Sequence, residues 1–351
     1  MNNRNEYTLY SPRYSLSERA KQTSSILRAS SVVAYHLLRG SKEKFAASVE
    51  ITDKCNAGCS FCYVYPSEWD QNERLGGYLQ LSPSEHKLKE KNVYETLRRL
   101  KSRGVVHVTL VGGETALAPK AIRLASKLFP VVWVVTNGVV KLPRLPNSVT
   151  VFVSIDGPPD YHNKSRDPKG FYKNYSYNNL QGMSANIVRN INESERGAYV
   201  HITLSKPVIK KFSDTVDWLV KDVRKLRGII VSGTATKDFE DPCTFSIEDR
   251  KDLKKLIESA AEKYGWKLFP FNQPKVNERL FDEKYIISNS SSCSVAQRVE
   301  SLNYDGSNVG KCVLRDDTLC ETCVCNISGL AQAINLVDIR TISGVLRATY
   351  G

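Results

Sequence analysis

Three cysteines fall within one short run, Cys55-Asn56-Ala57-Gly58-Cys59-Ser60-Phe61-Cys62. Thiolates this close can hold three irons of a cubane, whereas a protein-held [4Fe–4S] cluster ordinarily takes four cysteines. The iron left without a protein ligand is an open coordination site where chemistry can occur. Gly58 is expected to help the chain bend around the metal. A zinc site would want a fourth Cys or His, and His36 and His86 are distant in sequence. A second set, Cys293, Cys312, Cys320, Cys323 and Cys325, gathers toward the C-terminus. Five thiolates exceed the need of one site, so a cubane on four of them is expected, with a structural zinc as the alternative. Cys243 stands apart and reads as an inert buried thiol.

Nine cysteines, clustered and odd in number, fit a disulfide framework poorly. No apolar run is long enough for a spanning helix, and the polar start Met1-Asn2-Asn3-Arg4-Asn5-Glu6 does not resemble a secretion signal. The expectation is a cytoplasmic protein, peripheral at the membrane if its first helix binds lipid. The net charge of +13 admits nucleic acid, an anionic membrane or an anionic substrate without choosing among them. Most of the lysines read as plain solvated surface.

The elements that must position these cysteines follow from hydrophobic pattern. Strands are expected at 45–52, 105–111, 131–136, 149–154, 198–204 and 228–232, alternating with helices at 92–103, 118–128, within 175–191, at 212–226 and at 249–264. Six such units imply an α/β fold: a partial (β/α)6 barrel with a parallel sheet and right-handed crossovers, less closed than the eight-unit barrel. Sites in such sheets form at the carboxyl ends of strands. The cysteine run, Gly112-Gly113-Glu114-Thr115, Thr136-Asn137-Gly138 and Ser154-Ile155-Asp156-Gly157 each follow an expected strand.

Residues 1–44 form an expected N-terminal basic amphipathic helix region, 45–279 the barrel, and 280–351 a small cysteine-rich domain. A capping box at Ser15–Glu18 opens the first helix. Leu16, Ala20, Leu27, Val33 and Leu37 make its expected apolar stripe, with Arg19, Lys21, Arg28, Arg39, Lys42 and Lys44 supplying charge. Such a helix lies on a membrane surface or packs across the bottom of the barrel, and the second is the expected arrangement. Beyond the barrel, a short strand is expected at 267–271 and a hairpin at 299–304 with its turn at Asp305-Gly306.

With its gaps of three and two and Phe61 before the last cysteine, the first run resembles the signature of the radical S-adenosylmethionine (radical SAM) superfamily. The three further strand-end segments resemble that family's loops, over roughly residues 45–235. The resemblance implies that Cys55, Cys59 and Cys62 hold a [4Fe–4S] cluster whose open iron is chelated by SAM. It implies Phe61 and adjacent backbone near the adenine, and Gly112, Gly113 and Glu114 at the SAM amino group. It further implies Asn137, with Ser154 or Asp156 toward ribose or carboxylate, and Arg166 toward the carboxylate. The bland alternatives are a loop acid for Glu114 and a surface charge for Arg166. The implied chemistry is reductive: an electron from a donor such as a ferredoxin or flavodoxin enters the cluster, SAM is cleaved, and a 5′-deoxyadenosyl radical removes hydrogen from a substrate. Cys293, the Asp305-Gly306 turn and Cys312 resemble the opening of SPASM or Twitch auxiliary-cluster domains, and the downstream spacing departs from the SPASM pattern. That implies a second iron–sulfur cluster.

Three functions follow. The leading one is a radical SAM enzyme acting on a lipid or isoprenoid, suggested by the basic helix. The alternative is a SPASM-type enzyme modifying a peptide or protein. The third is a zinc-stabilised nucleic-acid-binding protein, which leaves the ordered strand-end motifs unexplained. No nucleic-acid-binding motif is evident, and nucleic acid is not an expected partner.

Overall fold

The structure is a computed structural model that describes residues 7–39, 43–59, 61–65, 73–74 and 82–350. The first six residues, Ser60 of the cysteine run and Lys42 lie outside these, as do the side chains of Leu37 and His86.

Seven parallel strands make one open sheet. Six are the expected ones: β1 (Ala46–Glu50), β2 (His107–Val111), β3 (Val131–Thr136), β4 (Val149–Ile155), β5 (Ala198–Leu204) and β6 (Leu226–Gly233). The seventh, β7 (Val299–Leu302), pairs with the free edge of β1, giving the order β6-β5-β4-β3-β2-β1-β7. The architecture is thus α/β, a partial barrel that does not close.

The principal helices are α1 (Leu16–Leu38), α2 (Pro83–Ser102), α3 (Pro119–Leu128), α4 (Pro159–Arg166), α5 (Gly182–Glu193), α6 (Phe212–Asp222), α7 (Ile247–Tyr264), α8 (Pro274–Phe281), α9 (Asn326–Asn335) and α10 (Ile339–Tyr350). Alternate strand residues point to opposite faces. Val132 and Val134 meet α2 and α3 through Leu97, Leu100 and Ile122 on the outer face. Trp133, Phe152, Tyr199 and Phe271 pack together on the inner face.

Several expectations shift for identifiable reasons. The helix expected at 212–226 ends at Asp222, because Leu226 already opens β6. The strand expected at 267–271 is replaced by one 3₁₀ turn, Trp266–Leu268. The Asn272 side chain pairs with both Val231 backbone groups, at 2.8 and 3.1 Å, and so satisfies the edge of β6 that a strand would have covered. The hairpin at 299–304 has its turn, with Asn303 N donating to Ser307 O at 2.8 Å, but its return arm makes a single bridge from Leu302 to Asn308. Its first arm is the added strand β7.

The N-terminal capping box forms, Ser15 N donating to Glu18 Oε2 at 2.8 Å and Glu18 N to Ser15 Oγ at 3.3 Å. As expected, α1 packs across the bottom of the barrel. The expected stripe is corrected, however: Leu16, Ala20 and Leu27 face outward, and the inner face is Gln22, Ile26, Ala29 and Val32. Gln22 donates to the Tyr350 carbonyl. The apolar stripe gave way because α10 also lies there and offers a backbone acceptor that glutamine can use.

Candidate active site

The first cysteine loop is stitched to the loop after β2. Ile51 N donates to Val111 O at 2.9 Å, Gly113 N to Thr52 O at 2.8 Å and Glu114 N to Lys54 O at 2.5 Å. The two glycines are required by this approach. A Cβ on Gly112 would lie 2.4 Å from Thr52 O, and one on Gly113 would lie 2.0 Å from Lys54 O.

Glu114 turns its carboxylate inward, only 1 % exposed. It accepts from Thr136 Oγ1 at 2.5 Å, Asn137 N at 2.7 Å and Ala116 N at 2.8 Å. Burial lifts its pKa above the ordinary carboxylate range, and those three donors pull it back in part. Asn137 in turn donates through Nδ2 to Asn56 Oδ1 at 2.7 Å, inside the cysteine run. Three strand ends, those of β1, β2 and β3, are therefore joined through one buried polar network.

The fourth strand end adds a buried ion pair. Arg166, the last residue of α4, donates to both Asp156 carboxylate oxygens, Nε at 2.8 Å and Nη2 at 2.6 Å. Ser165 Oγ adds a bond to Asp156 at 2.6 Å. Burial raises the Asp156 carboxyl, but Arg166 and these hydrogen bonds hold it below the usual range. Arg166 is buried, not a surface charge. Its carbonyl accepts from Gly58 N at 2.8 Å, and its guanidinium lies 5.7 Å from the Phe61 ring centroid. Ser154 sits opposite His201 of β5 in the ladder and is buried.

Cys55 and Cys59 are buried and Cys62 half-buried. Burial pushes the Cys59 thiol up to about 11, although Arg166 opposes the shift. Burial raises Cys55 further, and the charges of Cys59 and Glu114 add to that. Such thiols stay protonated unless a cation takes the proton's place, which is the setting a metal centre relieves. Among the described residues no three donors converge on one point as a single ion requires. A cubane spreads its thiolates over separate corners, and three thiols on one loop, two of them buried and one beside Arg166 and Arg74, suit such a cluster. Bound there, the cluster supplies one-electron chemistry at its open iron. Arg74 backs the loop, donating to Ala57 O at 3.2 Å and Cys59 O at 2.9 Å.

The second cysteine set also comes together. Cys293, Cys312, Cys320 and Cys323 line one cavity, with Arg250 and Lys311 in its walls. Cys325 stands beside Cys323 at the start of α9. The Cys323 thiol and the N–H groups of Ile327 and Ser328 hold Cys325 down to about 7, and the same thiol contact pushes Cys323 up. Burial raises Cys312 to about 11. Cys243 is half-buried elsewhere, with Asp241 and Ser205 for neighbours.

Sequence reasoning missed Asn56, Arg74, Thr136 as a partner of Glu114, Glu50 and Arg315. Asn56 lies inside the signature run and could have been found there. The others carry no local signal, because their partners lie on other elements.

Residues 49–178 match the family described as the radical SAM superfamily. The chain is 26 % identical over 235 residues to the sporulation killing factor maturation protein SkfB of Bacillus subtilis (strain 168), covering 64 % of this chain and 51 % of that protein. It thus spans about half the length of that relative. Native anSMEcpe with bound AdoMet superposes at a TM-score of 0.50, with 14 % identity, over 85 % of this chain and 82 % of that one. Streptococcus suis SuiB bound to precursor peptide SuiA gives 0.51, with 12 % identity, over 78 % and 60 %. At these identities the structural likeness is one of fold. The strand-end cysteine loop lies within residues 49–178, the part of the chain that matches the radical SAM superfamily.

Proposed function

We propose that this chain is a radical SAM enzyme that modifies a peptide or protein. The observation that carries the reading is the match to a maturation protein, SkfB, which extends over more of the chain than the family domain does. In this reading Cys55, Cys59 and Cys62 hold the SAM-cleaving cluster. Glu114 and Asn137 present acceptors to the SAM amino group from the second and third strand ends. Ser154, with the Asp156–Arg166 pair, lines the fourth. Phe61 packs beside the adenine. Four of the five C-terminal cysteines hold a second iron–sulfur cluster, which the cavity lined by Cys293, Cys312, Cys320 and Cys323 supports. The electron comes from a small one-electron carrier.

The lipid or isoprenoid reading has no support among these relatives, and the family match displaces the zinc-stabilised nucleic-acid reading. Leu16, Leu27 and Leu38 lie exposed on α1 among basic residues, and they favour a membrane surface as a second partner. No helix among the described residues is long and apolar enough to cross a membrane. The deciding experiment uses anaerobically reconstituted protein with SAM and dithionite, and reads 5′-deoxyadenosine. A panel of synthetic peptides should raise the yield above the substrate-free level, while phospholipid or isoprenoid vesicles should not. A rise with vesicles and none with peptides would reverse the assignment.

A further inference from the structure

Arg315 belongs to the C-terminal cysteine segment, and its N–H closes a turn on Cys312 O at 2.9 Å. Its backbone is left-handed, at φ 71°. A long side chain seldom adopts that conformation, and it persists where the surroundings over-determine it. Here the surroundings are two acceptors from the other end of the chain. Nη2 donates to Glu50 Oε1 at 2.9 Å, and Nε donates to the Tyr63 carbonyl at 3.0 Å. Glu50 ends β1 and is 4 % exposed. Tyr63 directly follows Cys62, and its hydroxyl lies within electrostatic reach of Glu50, Cys62, Arg315 and Cys325. One guanidinium therefore touches the strand that leads into the first cysteine site and the loop that leaves it, while its own backbone is anchored on a cysteine of the second.

We propose that Arg315 is a positioning residue for the first cysteine site: a latch that holds the loop after Cys62 and neutralises the buried Glu50 carboxylate beside it. The reduction potential of the first cluster is then set in part by a residue of the C-terminal segment. Burial raises the Glu50 carboxyl and Arg315 opposes that rise, so the stripped carboxylate keeps its charge only at alkaline pH, where it places negative charge near the cluster and makes the cluster harder to reduce. The latch rests on the first site holding a cluster and not on the class of substrate.

The test uses the full chain, anaerobically reconstituted, with the first cluster followed by its electron paramagnetic resonance signal in a redox titration. Arg315→Gly is the informative variant, since glycine keeps the left-handed turn while the guanidinium is lost with the rest of the side chain. With iron content equal to wild type, its midpoint potential at alkaline pH should move to more negative values. Adding Glu50→Gln should return it toward wild type, and Arg315→Lys, which keeps charge without the fork, should fall between. An unchanged potential in R315G, or no restoration by E50Q, overturns the proposal. If R315G fails to load iron, hydrogen exchange on the apoprotein decides. Faster exchange confined to residues 61–65 and the turn after Cys312 supports the latch, and unchanged exchange there overturns it. A wild-type chain that binds no iron would overturn the cluster reading and the latch together.

Discussion

At Gly113 the fold leaves no space for a methyl group, since a Cβ would sit 2.0 Å from the Lys54 carbonyl oxygen. That carbonyl leads directly into Cys55 and cannot move without moving the cysteine loop. Gly113→Ala is therefore expected to cost about 3 kcal/mol of stability, measured by urea unfolding, and to lower iron content. The cysteines themselves are expected to behave differently. Cys59→Ala removes one thiol from a loop already held by Arg74, Gly58 and the Lys54 contact. The fold should survive, as circular dichroism would show, and 5′-deoxyadenosine formation under dithionite should disappear. Formation at the wild-type rate would refute the ligand assignment.

Among the elements, α1 separates packing from pattern. Its inner face is Gln22, Ile26, Ala29 and Val32, and its most obvious leucines point outward. A charge at Ala29, 7 % exposed against the barrel bottom, has no partner there. Ala29→Asp should destabilise by about 2–4 kcal/mol, whereas Leu27→Ser, at a side chain 67 % exposed, should stay within about 0.5 kcal/mol. Thermal unfolding of the two variants checks the orientation of the helix. A larger loss for L27S than for A29D would mean that the helix is turned the other way. The seventh strand belongs to this scale as well. Val299–Leu302 completes the edge of β1, so that a segment far along the chain protects backbone groups at the edge of the barrel.

For the whole molecule the buried histidines set an acid limit. His107, His162 and His201 are each held down to about 4, chiefly by burial. His162 also accepts from Asp156 N at 3.3 Å, which suits the neutral ring. Because their folded values are depressed, the unfolded chain binds more protons between about pH 6.5 and 4. Stability is full above about pH 6.5 and falls as pH drops through that window, by about 1.4 kcal/mol per pH unit for each proton of difference. Chemical denaturation at pH 7.5, 6 and 5 should show that decline. A flat profile would mean that these rings take up protons in the folded protein as readily as in the unfolded chain.

What the chain's order alone determined is local and periodic. Six strands could be located because a parallel sheet covered on both faces demands continuous apolar runs, and the motifs followed because chemistry sits where those runs stop. Cys55, Cys59 and Cys62 were legible as candidate ligands because their signal is one of spacing within a single loop. The pairing of Arg166 with Asp156, the burial of Glu114 among Thr136 and Asn137, and the hold of Arg315 on Glu50 and Tyr63 were decided only by tertiary structure. Each joins residues from separate elements, and no spacing rule connects a strand end to a turn 265 positions away. The inner face of α1 was decided there too. A glutamine outranked two leucines because α10 presents a carbonyl at that point, and the value of a buried hydrogen bond depends on a partner the helix itself does not contain.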